Sequence, residues 1–177
     1  MKGQAKVVLI LLSITALVVT AQPQLLSNNP VGKDTRAQGY WVDPSTGLMW
    51  TAKDNGKDLS WGKAMKYCRN LQLAGYSDWR LATLSELEGI YDKNVSAPGL
   101  ARLGGPAKGS DFTWHVRGNL FLTGDAWSSE RRYDDRGHPS GYDWYFNFNE
   151  GRSDNDPSGW PYSSDGMRAL CVRGQEK

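Results

Sequence analysis

The chain has 177 residues, of which 11% are aromatic and 23% charged, and it contains two cysteines. That length suits one domain with a hydrophobic core, and the eight Trp, eight Tyr and four Phe exclude an intrinsically disordered chain. The formal net charge is +2, from 21 Lys and Arg against 19 Asp and Glu. Removal of a leader that contains Lys2 and Lys6 would leave 19 basic residues and a net charge of zero. We therefore expect no nucleic-acid partner.

Residues 1–21 are typical of a secretory signal peptide. Lys2 and Lys6 precede an apolar stretch at 7–19, and Ala21 ends a run of small residues that fits a cleavage site. A transmembrane helix needs about 20 apolar residues, so this shorter stretch predicts cleavage rather than stable membrane insertion. We therefore expect an exported protein, periplasmic or extracellular, in an oxidising compartment.

Residues 22–38 are polar, contain two prolines and show no periodicity, which indicates a linker or N-terminal arm. The folded domain is expected to span residues 39–174. Its first element is predicted to be a β-hairpin, because apolar residues at 40–42 and 48–50 flank the turn-forming segment 43–47.

Two helices are predicted next. A first helix, with Ser60 placed to cap it, is indicated by apolar residues at helical spacing, namely Trp61, Ala64, Met65, Cys68 and Leu71. After a short extended piece at 79–81, Thr83 and Glu86 form the pattern of a capping box, and the second helix is expected to run to about Asp92.

The later part of the chain predicts strands and loops. Residues 94–111 are expected to form a surface loop, and Trp144, Phe146 and Phe148 share one face at the period of a strand. Residues 167–173 predict a final strand. Helices early and antiparallel strands late indicate an α+β fold rather than a parallel α/β sheet.

The two cysteines, Cys68 on the first predicted helix and Cys171 in the final strand, are expected to form a disulfide bond. Pairing is the usual outcome for two cysteines in an exported protein. The alternative is a pair of catalytic thiols.

Several motifs give the sequence a family resemblance over residues 40–173. In chain order they are 47–50 (GLMW), Trp61 with Tyr67 and Cys68, 75–83 (GYSDWRLAT) followed by Glu86 and Leu87, 127–129 (WSS), 146–148 (FNF) with Gly151, and 168–173 (RALCVR). This combination resembles the C-terminal domain family of the Legionella collagen-like protein, the Lcl C-terminal domain family. Ala82 departs from the proline usual in that family.

The resemblance implies a C-type-lectin-like fold, with two helices packed on a small twisted antiparallel sheet and a long loop region that presents the binding surface. In such a fold a disulfide typically joins the first helix to the final strand. Members of the fold bind sugars, proteins and host surfaces, and a related branch, the formylglycine-generating type, oxidises cysteine in sulfatases. The fold alone therefore does not choose the function.

No cofactor is expected, and calcium is the alternative. The residues 149–150 and 154–156 bring oxygen ligands into one segment, as calcium requires. However, the Glu-Pro-Asn and Trp-Asn-Asp triplets of the calcium-dependent lectins are absent from the sequence.

The expected function is that of a secreted, non-catalytic binding module that recognises a glycan or a protein at a cell surface, with adhesion as its role. The loops at 128–142 and 149–166 are expected to bind the ligand, because aromatic rings beside polar groups are typical of binding sites. The predicted ligand-binding residues are Asn149, Glu150, Arg152, Asp154, Asn155, Asp156, Trp160 and Tyr162. The alternatives are an oxidase of the formylglycine-generating type and a structural component of the cell envelope.

Overall fold

The computed structural model describes residues 34–99, 113–159 and 166–174. The helices are α1 (Asp34–Gln38), α2 (Trp61–Arg69), α3 (Leu84–Gly89) and a short 3-10 helix (Arg117–Asn119). The strands are β1 (Tyr40–Val42), β2 (Met49–Thr51), β3 (Arg80–Leu81), β4 (Asp125–Tyr133), β5 (Pro139–Asn147), β6 (Arg152–Pro157), β7 (Met167–Arg168) and β8 (Cys171–Arg173). This is a mixed α+β architecture, as the sequence predicts.

The predicted leader and most of the predicted arm lie outside the described residues. The arm ends in α1, where the sequence predicts no regular structure, and Thr35 in this helix is buried. Within the described part of the chain, none of the helices has the length and apolar character that a bilayer crossing requires.

The first sheet has the strand order β1-β2-β8-β3, and its strands are antiparallel. The predicted hairpin is confirmed, with Trp41 paired to Trp50. Its turn is held by Asp43, whose carboxylate accepts hydrogen bonds from Ser45 and Thr46. Burial opposes ionisation of Asp43, but these bonds outweigh it and lower the pKa of the carboxyl group.

Both predicted helices are present. In α3 the capping box is complete, since Glu86 N donates to Thr83 Oγ1 and Thr83 N donates to Glu86 Oε2 at 2.8 Å. Arg80 Nη1 lies 2.7 Å from the same oxygen of Glu86, and these bonds outweigh burial and lower the pKa of Glu86. The helix ends at Gly89, before the predicted Asp92.

The first predicted helix, α2, begins where the sequence places it, but Ser60 makes no side-chain cap. It is fixed instead by Trp61, whose backbone N–H donates to the Ser158 carbonyl at 3.2 Å and whose indole N–H donates to the Ser128 carbonyl at 2.8 Å. The guanidinium of Arg131 lies 4.6 Å from the centre of the Trp61 ring.

The second sheet has the order β6-β5-β4-β7, in which β7 runs parallel to β4 and the other pairs are antiparallel. Two expectations are wrong here. Residues 128–133 and 139–142 belong to β4 and β5, and residues 152–157 form β6, so these parts of the two predicted loops are strands of this sheet. In β6, backbone pairing with β5 organises polar residues that carry no strand pattern of their own. The single final strand is in fact two, with β7 in the second sheet and β8 in the first.

The core comprises two clusters of buried side chains. The first surrounds α3 and includes Trp50, Phe146 and Phe148. The second lies between α2 and β8 and includes both cysteines, which form the predicted disulfide. Neither cysteine is a free thiol, so the alternative of two catalytic thiols is not supported.

Candidate functional site

Of the residues predicted to bind a ligand, those at 149–156 lie on or beside β6, an edge strand, and most of these are engaged with other residues. Asn149 donates from its side-chain amide to the Thr113 carbonyl at 2.8 Å, which ties the turn before β6 to the core. Asp156 lies opposite Asp143 in the register of β5 and β6. Trp160 and Tyr162 lie outside the described residues.

The predicted site has one guanidinium, that of Arg152, against three carboxylates, and two of these carboxylates pair with it. Arg152 forms ion pairs with Glu150 and, at 3.1 Å, with Asp154, and the hydrogen bond to Glu150 raises the pKa of the guanidinium. The amide oxygen of Asn155 accepts a hydrogen bond from Arg132 at 3.2 Å. Ligand binding at these residues therefore stays a prediction, since their strongest contacts are already made within the sheet.

The segment 154–156 does not converge on one point. Side chains alternate between the two faces of a strand, so Asp154 and Asp156 share one face of β6 while Asn155 lies on the other. Among residues 34–99, 113–159 and 166–174, no group of three or more His, Cys, Asp and Glu side chains could hold a metal ion.

A different site is formed by the exposed side of α2, which we call the basic groove. It has a volume of about 460 Å³ and is lined by Lys57, Leu59, Lys63, Lys66, Tyr67, Asn70, Leu71 and Gln72. Lys63 and Lys66 are three residues apart and project from the same side of the helix. They are exposed because Ala64 and Cys68 bury the opposite side in the core.

The carboxylates nearest in sequence to the groove lysines are engaged elsewhere. Asp54 is buried and accepts hydrogen bonds from Thr123 Oγ1 at 2.9 Å and Gly56 N at 2.8 Å. Asp58 is paired with Arg168. No described carboxylate forms an ion pair with a lysine of the groove, so its positive charge is directed to solvent.

Tyr67 stands at the edge of the basic groove with 39% of its surface exposed. Burial of the rest of the residue raises the pKa of its hydroxyl, and the negative charge of Asp54 raises it further. The hydroxyl therefore stays protonated at neutral pH, and it offers a hydrogen-bond donor beside an exposed aromatic ring.

An apolar cavity adjoins the basic groove. Its volume is about 340 Å³, and its lining residues are Gly39, Thr51, Ala52, Lys53, Tyr67, Leu71 and Leu73. Tyr67 and Leu71 line both spaces, so the cavity and the groove are neighbours on one surface. We call this space the apolar cavity.

The net charge does not reveal the basic groove, because it averages over the whole chain. A usable pattern was present, since Lys53, Lys57, Lys63, Lys66 and Arg69 crowd into 17 residues. The i, i+3 spacing of the last three predicts a basic stripe on the first helix.

The comparisons with known proteins agree with the motifs described above. The family model of the Lcl C-terminal domain matches residues 39–173. No curated protein matches the chain.

Proposed function

Since the chain belongs to the Lcl C-terminal domain family, we propose that it is a non-catalytic binding module that recognises a negatively charged glycan in the basic groove. The observation that carries this proposal is the presence of three lysines, Lys57, Lys63 and Lys66, in one groove without a described carboxylate partner. A cluster of cations without carboxylate partners attracts an anion.

A glycan fits the groove better than a protein surface does. A sulfate or carboxylate on a sugar would meet the lysine ammonium groups, while the ring face of the sugar could stack on Tyr67. Asn70 and Gln72 are exposed at the groove and offer amide groups to sugar hydroxyls. A protein ligand with an acidic surface is the alternative within the same proposal.

The proposal includes the C-type-lectin-like fold, export by the signal peptide and action at a cell surface, with adhesion as the role. Two small sheets and a disulfide between the first long helix and the final strand support that fold. Neither a cofactor nor a nucleic acid is part of the proposal, so binding should persist in a chelator.

Two other functions are compatible with the sequence alone. An oxidase of the formylglycine-generating type needs working thiols, and both sulfurs of this chain are in the disulfide. A structural envelope protein would depend on the arm at 22–38, and the groove supplies no observation in favour of that role.

The test is a binding titration of the purified protein with dextran sulfate oligosaccharides and, in parallel, with unsulfated dextran. The double variant Lys63→Gln/Lys66→Gln should bind the sulfated ligand about tenfold more weakly, because each exposed ion pair contributes up to about 1 kcal/mol. Affinity should also fall with added salt. Lys93→Gln is the matched control, since Lys93 is exposed but does not line the groove.

Equal affinity of the double variant and the wild type would exclude the groove as the site. Equal binding of sulfated and unsulfated dextran would exclude recognition by charge. If Lys93→Gln weakens binding as much as one groove substitution does, the effect comes from overall charge rather than from the groove.

A further inference from the structure

The apolar cavity is poorly suited to a plain sugar. Its lining is formed largely by Ala52, Leu71 and Leu73. The polar backbone groups of Ala52 are already used, since its N–H donates to the Gly39 carbonyl and its carbonyl accepts from Phe121 N, both at 2.9 Å. A sugar hydroxyl placed against Ala52, Leu71 and Leu73 would lose its hydrogen bonds to water without replacement from these three residues.

The cavity is nevertheless large enough for a ligand group. Its volume of about 340 Å³ lies within the range of small-molecule sites, which begins at about 300 Å³. An acyl chain or an aromatic ring would fill it, and burial of such a group is favourable in proportion to its apolar area.

Positive charge is present on the lining of the cavity and of the adjoining groove. Lys53 lines the cavity itself, and Lys66 lines the adjoining groove one residue before Tyr67. An apolar group in the cavity would therefore place an attached anion among ammonium groups. A neutral apolar ligand would leave these cations without a partner.

We propose that the apolar cavity and the basic groove together bind an anionic saccharide that carries an apolar substituent, with the substituent in the cavity and the anion at the lysines. This inference rests on the proposed function, because it assigns the class of ligand that the same surface takes. The shared residues Tyr67 and Leu71 are the point at which the two parts of the ligand join.

The experiment uses three probes with the purified protein. They are 4-methylumbelliferyl 6-sulfo-N-acetylglucosaminide, the methyl glycoside of the same sulfated sugar, and the unsulfated umbelliferyl compound. The sulfated umbelliferyl compound should bind at least tenfold more tightly than the sulfated methyl glycoside, because only the former can fill the cavity.

Two variants separate the contributions. Ala52→Leu fills the cavity, so it should remove the tenfold advantage while the affinity for the sulfated methyl glycoside is unchanged. Lys66→Gln should weaken both sulfated probes by a similar factor. A thermal melt of each variant shows that it is folded, and the comparison of probes on the wild type needs no variant.

Equal affinity of the wild type for the two sulfated probes would overturn this inference and leave the proposed function intact. Equal binding of the sulfated and unsulfated umbelliferyl compounds would overturn the anionic part of both proposals. An umbelliferyl advantage that persists in folded Ala52→Leu would show that the aromatic group binds elsewhere and would also overturn the inference.

Discussion

Loss of the bond between Cys68 and Cys171 is expected to lower the free energy of unfolding by about 4–5 kcal/mol. The two residues are 103 positions apart, and a cross-link that closes a loop of about 100 residues restricts the unfolded chain by about this amount in the chain-entropy model. For a protein of this size such a loss corresponds to a fall in Tm of roughly 8–20 °C, at about 2–4 °C per kcal/mol.

The assay is urea unfolding of the wild type with and without a reductant, followed by fluorescence of the buried Trp side chains. The variant Cys68→Ala/Cys171→Ala is the control, because it should show the lowered stability without any response to the reductant. A reductant effect below about 1 kcal/mol on the fully reduced wild type would refute the reasoning, since the unfolded chain would then gain little freedom.

Gly118→Ala should destabilise the protein by about 1–3 kcal/mol more than Gly137→Ala. Both glycines have positive φ (76° and 77°), but of the two only Gly118 would place a Cβ against another residue, 2.2 Å from Cδ2 of Trp41. Equal urea midpoints of the two variants would contradict this prediction. Thr83→Ala removes the N-cap of α3 and should cost about 1 kcal/mol in the same assay, whereas an unchanged midpoint would show that the cap adds nothing. Burial raises the pKa of Asp54 above its usual 3.8, so ionisation destabilises the folded state above the raised pKa. The wild type should therefore gain stability relative to Asp54→Asn as pH falls from 7 towards about 4, and a loss over that range would contradict the shift.

Local sequence patterns predicted the elements that are determined by residues close together in the chain. The hairpin could be predicted because turn-forming residues separate two apolar runs. The start of α3 could be predicted because Thr83 and Glu86 have the capping-box spacing. The disulfide followed from the number of cysteines and the expected compartment.

Strands that form only because a neighbouring strand pairs with them could not be predicted from the sequence. The sequence of β6, RSDNDP, contains no β-branched or aromatic residue, and it is a strand because β5 supplies a complete row of backbone partners. The division of 167–173 between two sheets depends in the same way on which strands lie on each side of it.

Ligand binding at 149–166 stays a prediction, and the basic groove was not predicted, for a related reason. Composition favoured 149–166, but the sequence does not reveal that Arg152 and its acidic neighbours pair with each other. The basic groove can be identified only from the structure, in which Asp54 is buried and Asp58 is paired with Arg168. The lysines of α2 are therefore left without either carboxylate as an ion-pair partner.

The position of β8 has a consequence for the order in which the protein folds. β8 is the only described partner of β3 and separates it from β2, so the first sheet has no continuous backbone ladder until residues 171–173 are present. Pairs such as Trp50 with Val172 bridge most of the domain, and contacts of such long sequence separation slow folding. The amino-terminal half therefore cannot complete its own sheet, and the first sheet becomes continuous only when residues 171–173 have joined it.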